Sequence, residues 1–90
     1  MSSQTTLRID NEKGLHARAS AKFVETVERF DARAWVSRDG MRVAADSIMG
    51  LLSLAASQGS EVELEAEGRE AEALIEALRD LVEGRFGESR

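Results

Sequence analysis

Residues 61–67 read Glu-Val-Glu-Leu-Glu-Ala-Glu, and this strict alternation of charged and apolar side chains decides the fold class. Successive side chains of a β-strand point to opposite faces of its sheet, so this strand has one apolar and one charged face. A sheet that helices cover on both sides would carry continuous apolar runs instead. The segment therefore predicts a sheet with one face against a core and the other in water.

Three further strands are predicted upstream of this one. Alternating apolar and polar residues indicate a first strand over about residues 5–10. The same alternation over residues 32–37 is followed by Asp39-Gly40, a dipeptide that favours the tight turn of a hairpin. Residues 41–45 then form the returning strand.

Three helices are predicted from apolar residues that recur every three or four positions. The longer stripes cover residues 17–30 and 71–82. A short, dense apolar run covers residues 48–54, with Asp46 or Ser47 as its N-cap.

Together these segments follow the order βαββαβα. That order is typical of α+β proteins and predicts a two-layer open-faced sandwich, in which a four-stranded antiparallel sheet carries three helices on one face. Residues 1–90 are expected to form a single domain, because the chain is too short for two cores. The polar residues 85–90 are expected to fray.

The amino-acid composition excludes several classes of functional site. The chain has no cysteine and one histidine, which excludes a disulfide framework, a thiolate metal site and a multi-histidine cluster. No metal or other cofactor is predicted. No apolar run reaches the roughly 18 residues of a membrane span, and no signal-like segment is recognised near the start. A cytoplasmic protein without direct membrane insertion is therefore predicted.

Charge is distributed unevenly along the chain. Residues 1–45 hold eight Lys and Arg against six acidic residues, whereas residues 46–90 hold four against eleven. The stretch from residue 13 to 24 has three basic residues and no acidic one, and it contains the only histidine, His16. This predicts an anionic ligand or an acidic partner at that place, while the acidic second half argues against nucleic acid.

His16 lies where the first loop meets the first predicted helix, a position typical of an N-cap residue. The free amides of Ala17 and Arg18 and the positive end of the helix dipole point there, which suits a phosphoryl group on the imidazole. The Arg18 guanidinium adds paired donors and a permanent charge. By position alone, however, a lone histidine there is more often a simple cap, and Arg18 and Lys22 are ordinarily solvated helix charges.

Residues 11–24, NEKGLHARASAKFV, closely resemble the active-site segment of HPr, the family of histidine-containing phosphocarriers of bacterial phosphotransferase systems. Residues 47–54, SIMGLLSL, resemble the regulatory-serine segment of the same family. The predicted order of strands and helices is also that of the family over nearly the whole chain. Two separated motifs in the right register make the resemblance specific.

The resemblance implies that His16 accepts a phosphoryl group from phosphorylated enzyme I and passes it to an enzyme IIA component, while Arg18 steadies the phosphorylated imidazole. It implies that an ATP-dependent HPr kinase/phosphorylase modifies Ser47. The protein would then be a monomeric carrier rather than an enzyme. The residues expected to contact its partners lie near His16 or on the second helix: Lys13, Ala19, Lys22, Ile48, Met49 and Leu52.

Two residues depart from the family pattern. Ala19 stands where the family commonly has proline, in a first helical turn whose amides have no intrahelical partner, so alanine is tolerated there. Asp46 stands where a lysine often precedes the serine, which affects recognition by the kinase and not His16.

Three alternatives remain open from the sequence. Ser47 is also explained as a plain N-cap that needs no kinase. The chain also fits an HPr-like regulator, as in the nitrogen-related branch of phosphotransferase systems, that binds proteins according to its phosphorylation state. A small ligand-binding or RNA-binding α+β module is the third alternative, and the single Trp35 gives it thin support.

Overall fold

The strands and helices follow one another in the predicted order, and the computed structural model describes residues 2–89. The elements are β1 (Ser2–Arg8), α1 (Ala17–Glu28), β2 (Arg33–Arg38), β3 (Met41–Ala44), α2 (Ile48–Ser53), β4 (Glu61–Glu67) and α3 (Ala71–Glu83), followed by a 3₁₀ turn over Arg85–Gly87. The predicted α+β class is confirmed. Within residues 2–89, no helix has the length and apolar character needed to cross a membrane.

β4 lies inside the sheet, whose strand order is β1-β4-β2-β3 with every neighbouring pair antiparallel. Leu64 in the middle of β4 stands opposite Thr5 of β1 and Val36 of β2. The alternation of the β4 sequence therefore sets which residues of both neighbours face the core. The apolar residues of β4 are at most 2% exposed, and its glutamates lie on the water-facing side, so the predicted open-faced sheet is confirmed.

The three helices pack on the apolar face of this sheet. α1 contributes Phe23 and α3 contributes Leu74 and Leu78, and none of these is more than 1% exposed. The short helix α2 turns Leu51 fully into the core, and Leu54 at its end is also buried. These two leucines are therefore core residues, and the rest of α2 is left for the surface.

Charged residues make cross-strand contacts on the water-facing side of the sheet. The guanidinium of Arg42 lies 4.4 Å from the ring centroid of Trp35 and pairs with Glu65 at 3.0 Å. Arg33 approaches the same ring at 5.9 Å. Each such exposed contact contributes about 1 kcal/mol or less. The aromatic ring on which an RNA-binding alternative relied is therefore already engaged by two arginines.

The observed ends of two elements differ from the predicted ones by a few residues. β1 begins at Ser2 rather than near residue 5, because main-chain pairing with β4 continues through polar residues as far as Ser2 opposite Glu67. α1 ends at Glu28, before the predicted residue 30. Backbone pairing and capping, which side-chain periodicity does not report, set these ends.

The segment after α3 is folded, which corrects the expectation that it frays from residue 85. Arg85–Gly87 form a 3₁₀ turn, and Phe86 is only 1% exposed. Burial of this ring contributes about 1.5–3 kcal/mol toward ordering the turn. A single aromatic residue among polar ones has no periodicity, so the sequence pattern did not reveal it. Arg90, the last residue of that expected tail, lies outside the described residues.

Candidate functional site

His16 is the N-cap residue of α1, as the sequence predicted. Its backbone is extended (φ −77°, ψ −177°), and its carbonyl accepts the first helical hydrogen bond from the Ser20 amide at 2.8 Å. Nδ1 of the imidazole accepts a hydrogen bond from the Arg18 amide at 3.2 Å. The unpaired amides and the positive dipole end of the helix therefore face Nδ1.

The loop that carries His16 is docked against the loop between α2 and β4. The Leu15 amide donates to the carbonyl oxygen of Ala56 at 2.9 Å. Gly14 adopts φ +66°, and a Cβ atom at this position would lie 2.4 Å from that oxygen and 2.9 Å from Cα of Ser57. Only glycine fits there, so the close approach of the two loops fixes the position of His16.

The second imidazole nitrogen contacts an acidic residue that no sequence pattern indicated. His16 Nε2 lies 2.6 Å from Oε2 of Glu88, and Oε1 of the same carboxylate accepts a hydrogen bond from Nδ2 of Asn11 at 3.1 Å. The side chains of His16 and Glu88 are 27% and 20% exposed. A partly buried polar bridge therefore joins the first loop to the segment after α3.

The hydrogen bond with His16 lowers the pKa of Glu88 below its ordinary value, although partial burial acts in the opposite direction. The Asn11 amide and the electrostatic influence of His16 and Lys13 lower the pKa further. Glu88 is therefore an ionised hydrogen-bond acceptor at neutral pH.

These partners assign the tautomer of the neutral imidazole, which has one donor and one acceptor nitrogen. Nδ1 accepts from an amide, and Nε2 faces a carboxylate. The hydrogen-bond network therefore places the proton on Nε2 and the unprotonated lone pair on Nδ1. The nitrogen that carries the lone pair is the one that faces the start of α1.

Basic and acidic residues line a shallow cleft beside His16. Lys13 and Arg18 contribute positive charge, and Glu12 and Glu88 contribute negative charge. Arg18 is exposed at the second position of α1, next to the amides of the first turn. An anion held at Nδ1 would therefore lie near the backbone amides of the first turn, in the cleft that Arg18 also lines.

Two residues expected to contact partners are placed elsewhere by the fold. Ala19 is 0% exposed, because the third residue of α1 faces the core, so it presents no surface to a partner. Lys22 is half-buried, and its Nζ donates to the carbonyl oxygen of Phe86 at 2.6 Å. Its ammonium group therefore holds the segment after α3 rather than projecting freely from the surface.

Ser47, and not Asp46, is the N-cap residue of α2. Its Oγ accepts a hydrogen bond from the Gly50 amide at 2.9 Å, and its backbone is extended. At the other end of the helix, Arg38 donates to the carbonyl oxygen of Leu54 at 2.9 Å. Hydrogen bonds to side chains thus hold both ends of this six-residue helix.

The exposed side of α2 is apolar. Met49 is 76% exposed and Ile48 is 39% exposed, while Leu52 is half-buried. Met41 at the start of β3 is 47% exposed and touches the end of α2 through the Ser53 hydroxyl. The resemblance implied partner contacts for Ile48, Met49 and Leu52 but not for Met41, because a methionine after a hairpin turn is an ordinary strand residue.

Comparisons with known proteins agree on one family. The family model described as "PTS HPr component phosphorylation site" matches residues 3–84. The phosphocarrier protein HPr of Neisseria meningitidis serogroup A is 46% identical over 83 residues, covering 92% of this chain and 93% of that protein. The crystal structure of HPr-C-His from Thermoanaerobacter tengcongensis has a TM-score of 0.94 and 48% identity, covering 98% of this chain and 99% of that chain. The HPr-like protein Crh of Bacillus subtilis is 40% identical over 80 residues, covering 89% of this chain and 94% of that protein.

Proposed function

This chain belongs to the HPr family of phosphocarrier proteins, and from that premise we propose that His16 accepts a phosphoryl group from phosphorylated enzyme I and passes it to an enzyme IIA component. The observation that carries the proposal is the N-cap geometry of His16, in which the lone pair of Nδ1 lies at the start of α1. In this role the protein is a cytoplasmic, monomeric carrier and not an enzyme.

The start of α1 supplies the charge stabilisation that phosphoryl transfer needs. As the Nδ1 lone pair attacks phosphorus, the bond between phosphorus and the donor breaks, and the donor keeps that electron pair. The Arg18 amide then exchanges Nδ1 for a phosphoryl oxygen, and the Ala17 amide is a second donor in the same turn. The Arg18 guanidinium and Lys13 balance the remaining negative charge, so positioning and electrostatics account for most of the chemistry.

The test is enzymatic phosphorylation followed by mapping. The protein is incubated with phosphoenolpyruvate and enzyme I, and the phosphorylated peptide is located by mass spectrometry before and after acid treatment. We expect one acid-labile phosphoryl group on His16. No incorporation, or a phosphoryl group that survives acid, would contradict the proposal.

The apolar surface of α2 is the proposed docking site for these partners. Ile48, Met49 and Leu52 supply the apolar centre, with Met41 beside them. Lys13 and Arg18, exposed next to His16, favour acidic surfaces on enzyme I and on the IIA component. Docking of this kind would bring the partner's own phosphorylated side chain to Nδ1.

We also propose that an HPr kinase/phosphorylase regulates the carrier at Ser47. A phosphate there would be stabilised by the start of α2, yet it would place about two negative charges beside the apolar surface. Because the acceptor role of Ser47 toward Gly50 is compatible with a phosphate oxygen, the domain would stay folded. The effect would be on docking.

A Ser47→Asp variant is expected to raise the KM of the enzyme I reaction for this protein by on the order of tenfold, with kcat little changed. Steady-state phosphorylation rates measured against protein concentration test this. Gln4→Glu is the matched control, because it adds one negative charge on the water-facing side of the sheet and should leave KM unchanged. An equal KM for wild type and Ser47→Asp would remove the regulatory role.

A regulator that signals through phosphorylation-dependent protein binding is the second candidate, because the chain is also 39% identical, with a TM-score of 0.71, to Crh, described as the Bacillus subtilis catabolite repression HPr. The two candidates differ in the fate of the phosphoryl group. Transfer from phosphorylated His16 to purified IIA components supports the carrier, whereas binding to a target protein without onward transfer supports the regulator.

A further inference from the structure

The segment after α3 places the carboxylate of Glu88 against the imidazole of His16. Arg85 and Phe86 both have φ +55° and Gly87 has φ +78°, so three successive residues are left-handed. This conformation costs about 1–2 kcal/mol for each residue with a Cβ atom. Burial of the Phe86 ring and the 2.6 Å hydrogen bond from Lys22 to the Phe86 carbonyl hold the segment in place. Glu88 follows directly, with its carboxylate on Nε2 of His16.

We propose that Glu88 is a positioning residue that keeps the Nε2 proton of His16 in place while a phosphoryl group moves onto and off Nδ1. The inference rests on the proposed function of His16. Glu88 lies beyond residues 3–84, which match the family model, so the family match does not include this contact.

Phosphoryl acceptance by the Nε2–H tautomer needs no proton transfer. Nδ1 supplies the electron pair of the new N–P bond, and the ring, still protonated on Nε2, becomes a phosphoimidazolium with one positive charge. The Glu88 carboxylate 2.6 Å away balances that charge. When the group moves on, the N–P electron pair returns to Nδ1 and the neutral Nε2–H imidazole is restored. Without Glu88, only the Arg18 amide would favour the Nε2–H tautomer, so a smaller share of the protein would present the Nδ1 lone pair to α1.

The neighbouring charges favour an ionised Glu88 and leave its bond to His16 intact. Asn11 donates to the second carboxylate oxygen, and Lys13 adds positive charge. Lys22 is engaged with the Phe86 carbonyl, while Arg18 and Glu12 line the same cleft on its other sides. Glu88 is thus the carboxylate bonded to the imidazole.

The sign of the pH effect follows from the lowered pKa of Glu88. A carboxylate whose pKa is depressed by folding stabilises the folded protein above the pKa of the unfolded chain, and this contribution is lost as pH falls through the lowered value. At neutral pH the carboxylate is therefore in its acceptor form, and we expect the positioning effect to be fully present there.

The test combines the imidazole tautomer with the transfer rate. In ¹⁵N-labelled, unphosphorylated protein at a pH where His16 is neutral, we expect imidazole NMR shifts of the Nε2–H tautomer in wild type and of a tautomer mixture in Glu88→Ala. Single-turnover phosphorylation by enzyme I should be slower in Glu88→Ala by on the order of tenfold. Glu88→Gln keeps a hydrogen-bond acceptor but lacks the charge. We therefore expect this variant to retain a larger share of the wild-type Nε2–H tautomer population than of the wild-type phosphorylation rate.

Glu63→Gln is the matched control, since it removes an exposed carboxylate from the water-facing side of the sheet, outside the cleft, and should change neither readout. Wild-type tautomer and rate in Glu88→Ala would overturn the role of Glu88 while leaving His16 as the acceptor. A wild-type protein that has the Nε2–H tautomer but takes no phosphoryl group would contradict the proposed function itself, and this role with it.

Discussion

His16→Asn is expected to lower phosphoryl incorporation from phosphoenolpyruvate and enzyme I by on the order of a thousandfold or more. The physical reason is that the nucleophile is lost, and the chain contains no other histidine. Asparagine is itself a strong N-cap residue, so its side-chain oxygen can accept from the Arg18 amide as Nδ1 does. The variant therefore separates the capping role of His16 from its proposed role as the phosphoryl carrier.

Radiolabelled incorporation and chemical denaturation measure these two roles independently. We expect the free energy of unfolding of His16→Asn to stay within about 1 kcal/mol of wild type, whereas His16→Ala loses about 1 kcal/mol through the missing cap. Incorporation that persists in both variants would show that another residue carries the phosphoryl group.

Gly14→Ala is expected to destabilise the protein by about 2–4 kcal/mol. An added Cβ would lie 2.4 Å from the carbonyl oxygen of Ala56, a contact that only movement of the backbone can relieve. The positive φ of +66° adds the cost of a left-handed residue. The same movement would displace the loop that holds His16, so the rate of phosphorylation should fall as well.

Gly59→Ala is the matched control for the steric part of this effect. Gly59 also has a positive φ, of +90°, but no heavy atom lies within 4 Å of the added Cβ. Gly59→Ala should lose only the stability that a left-handed alanine costs, about 1–2 kcal/mol, and should keep the wild-type rate of phosphorylation. Equal losses of stability in the two variants would show that the two loops are not docked as described.

Local patterns were sufficient to predict most of the fold. The alternation over Glu61–Glu67 predicted an open-faced sheet, because side-chain direction in a strand depends on position alone. The N-cap positions of His16 and Ser47 were predictable for a similar reason, since capping depends on neighbours two or three residues away. Such features depend only on residues within one helical turn or one strand.

Only those parts of the site that depend on neighbouring residues in the chain could be predicted from the sequence. Glu88 reaches His16 across 72 positions of sequence, and the turn that brings it there depends on the burial of one phenylalanine. The resemblance predicts partner contacts for Ala19 and Lys22, but α1 turns Ala19 into the core and the Lys22 ammonium bonds the carbonyl oxygen of Phe86. Long-range contacts of this kind need the packed structure.

The docking of the His16 loop also has a consequence for folding kinetics. Three contacts between distant parts of the chain surround His16: Gly14 with Ala56, β1 with β4, and His16 with Glu88. Three long chain loops must therefore close before the site around the histidine is complete. Loop closure between distant residues is entropically costly and tends to slow folding. A nascent or partly folded chain would contain the α1 sequence without the assembled site. Carrier activity is therefore expected to emerge with the final cooperative folding step, and a partly folded chain should not divert phosphoryl groups.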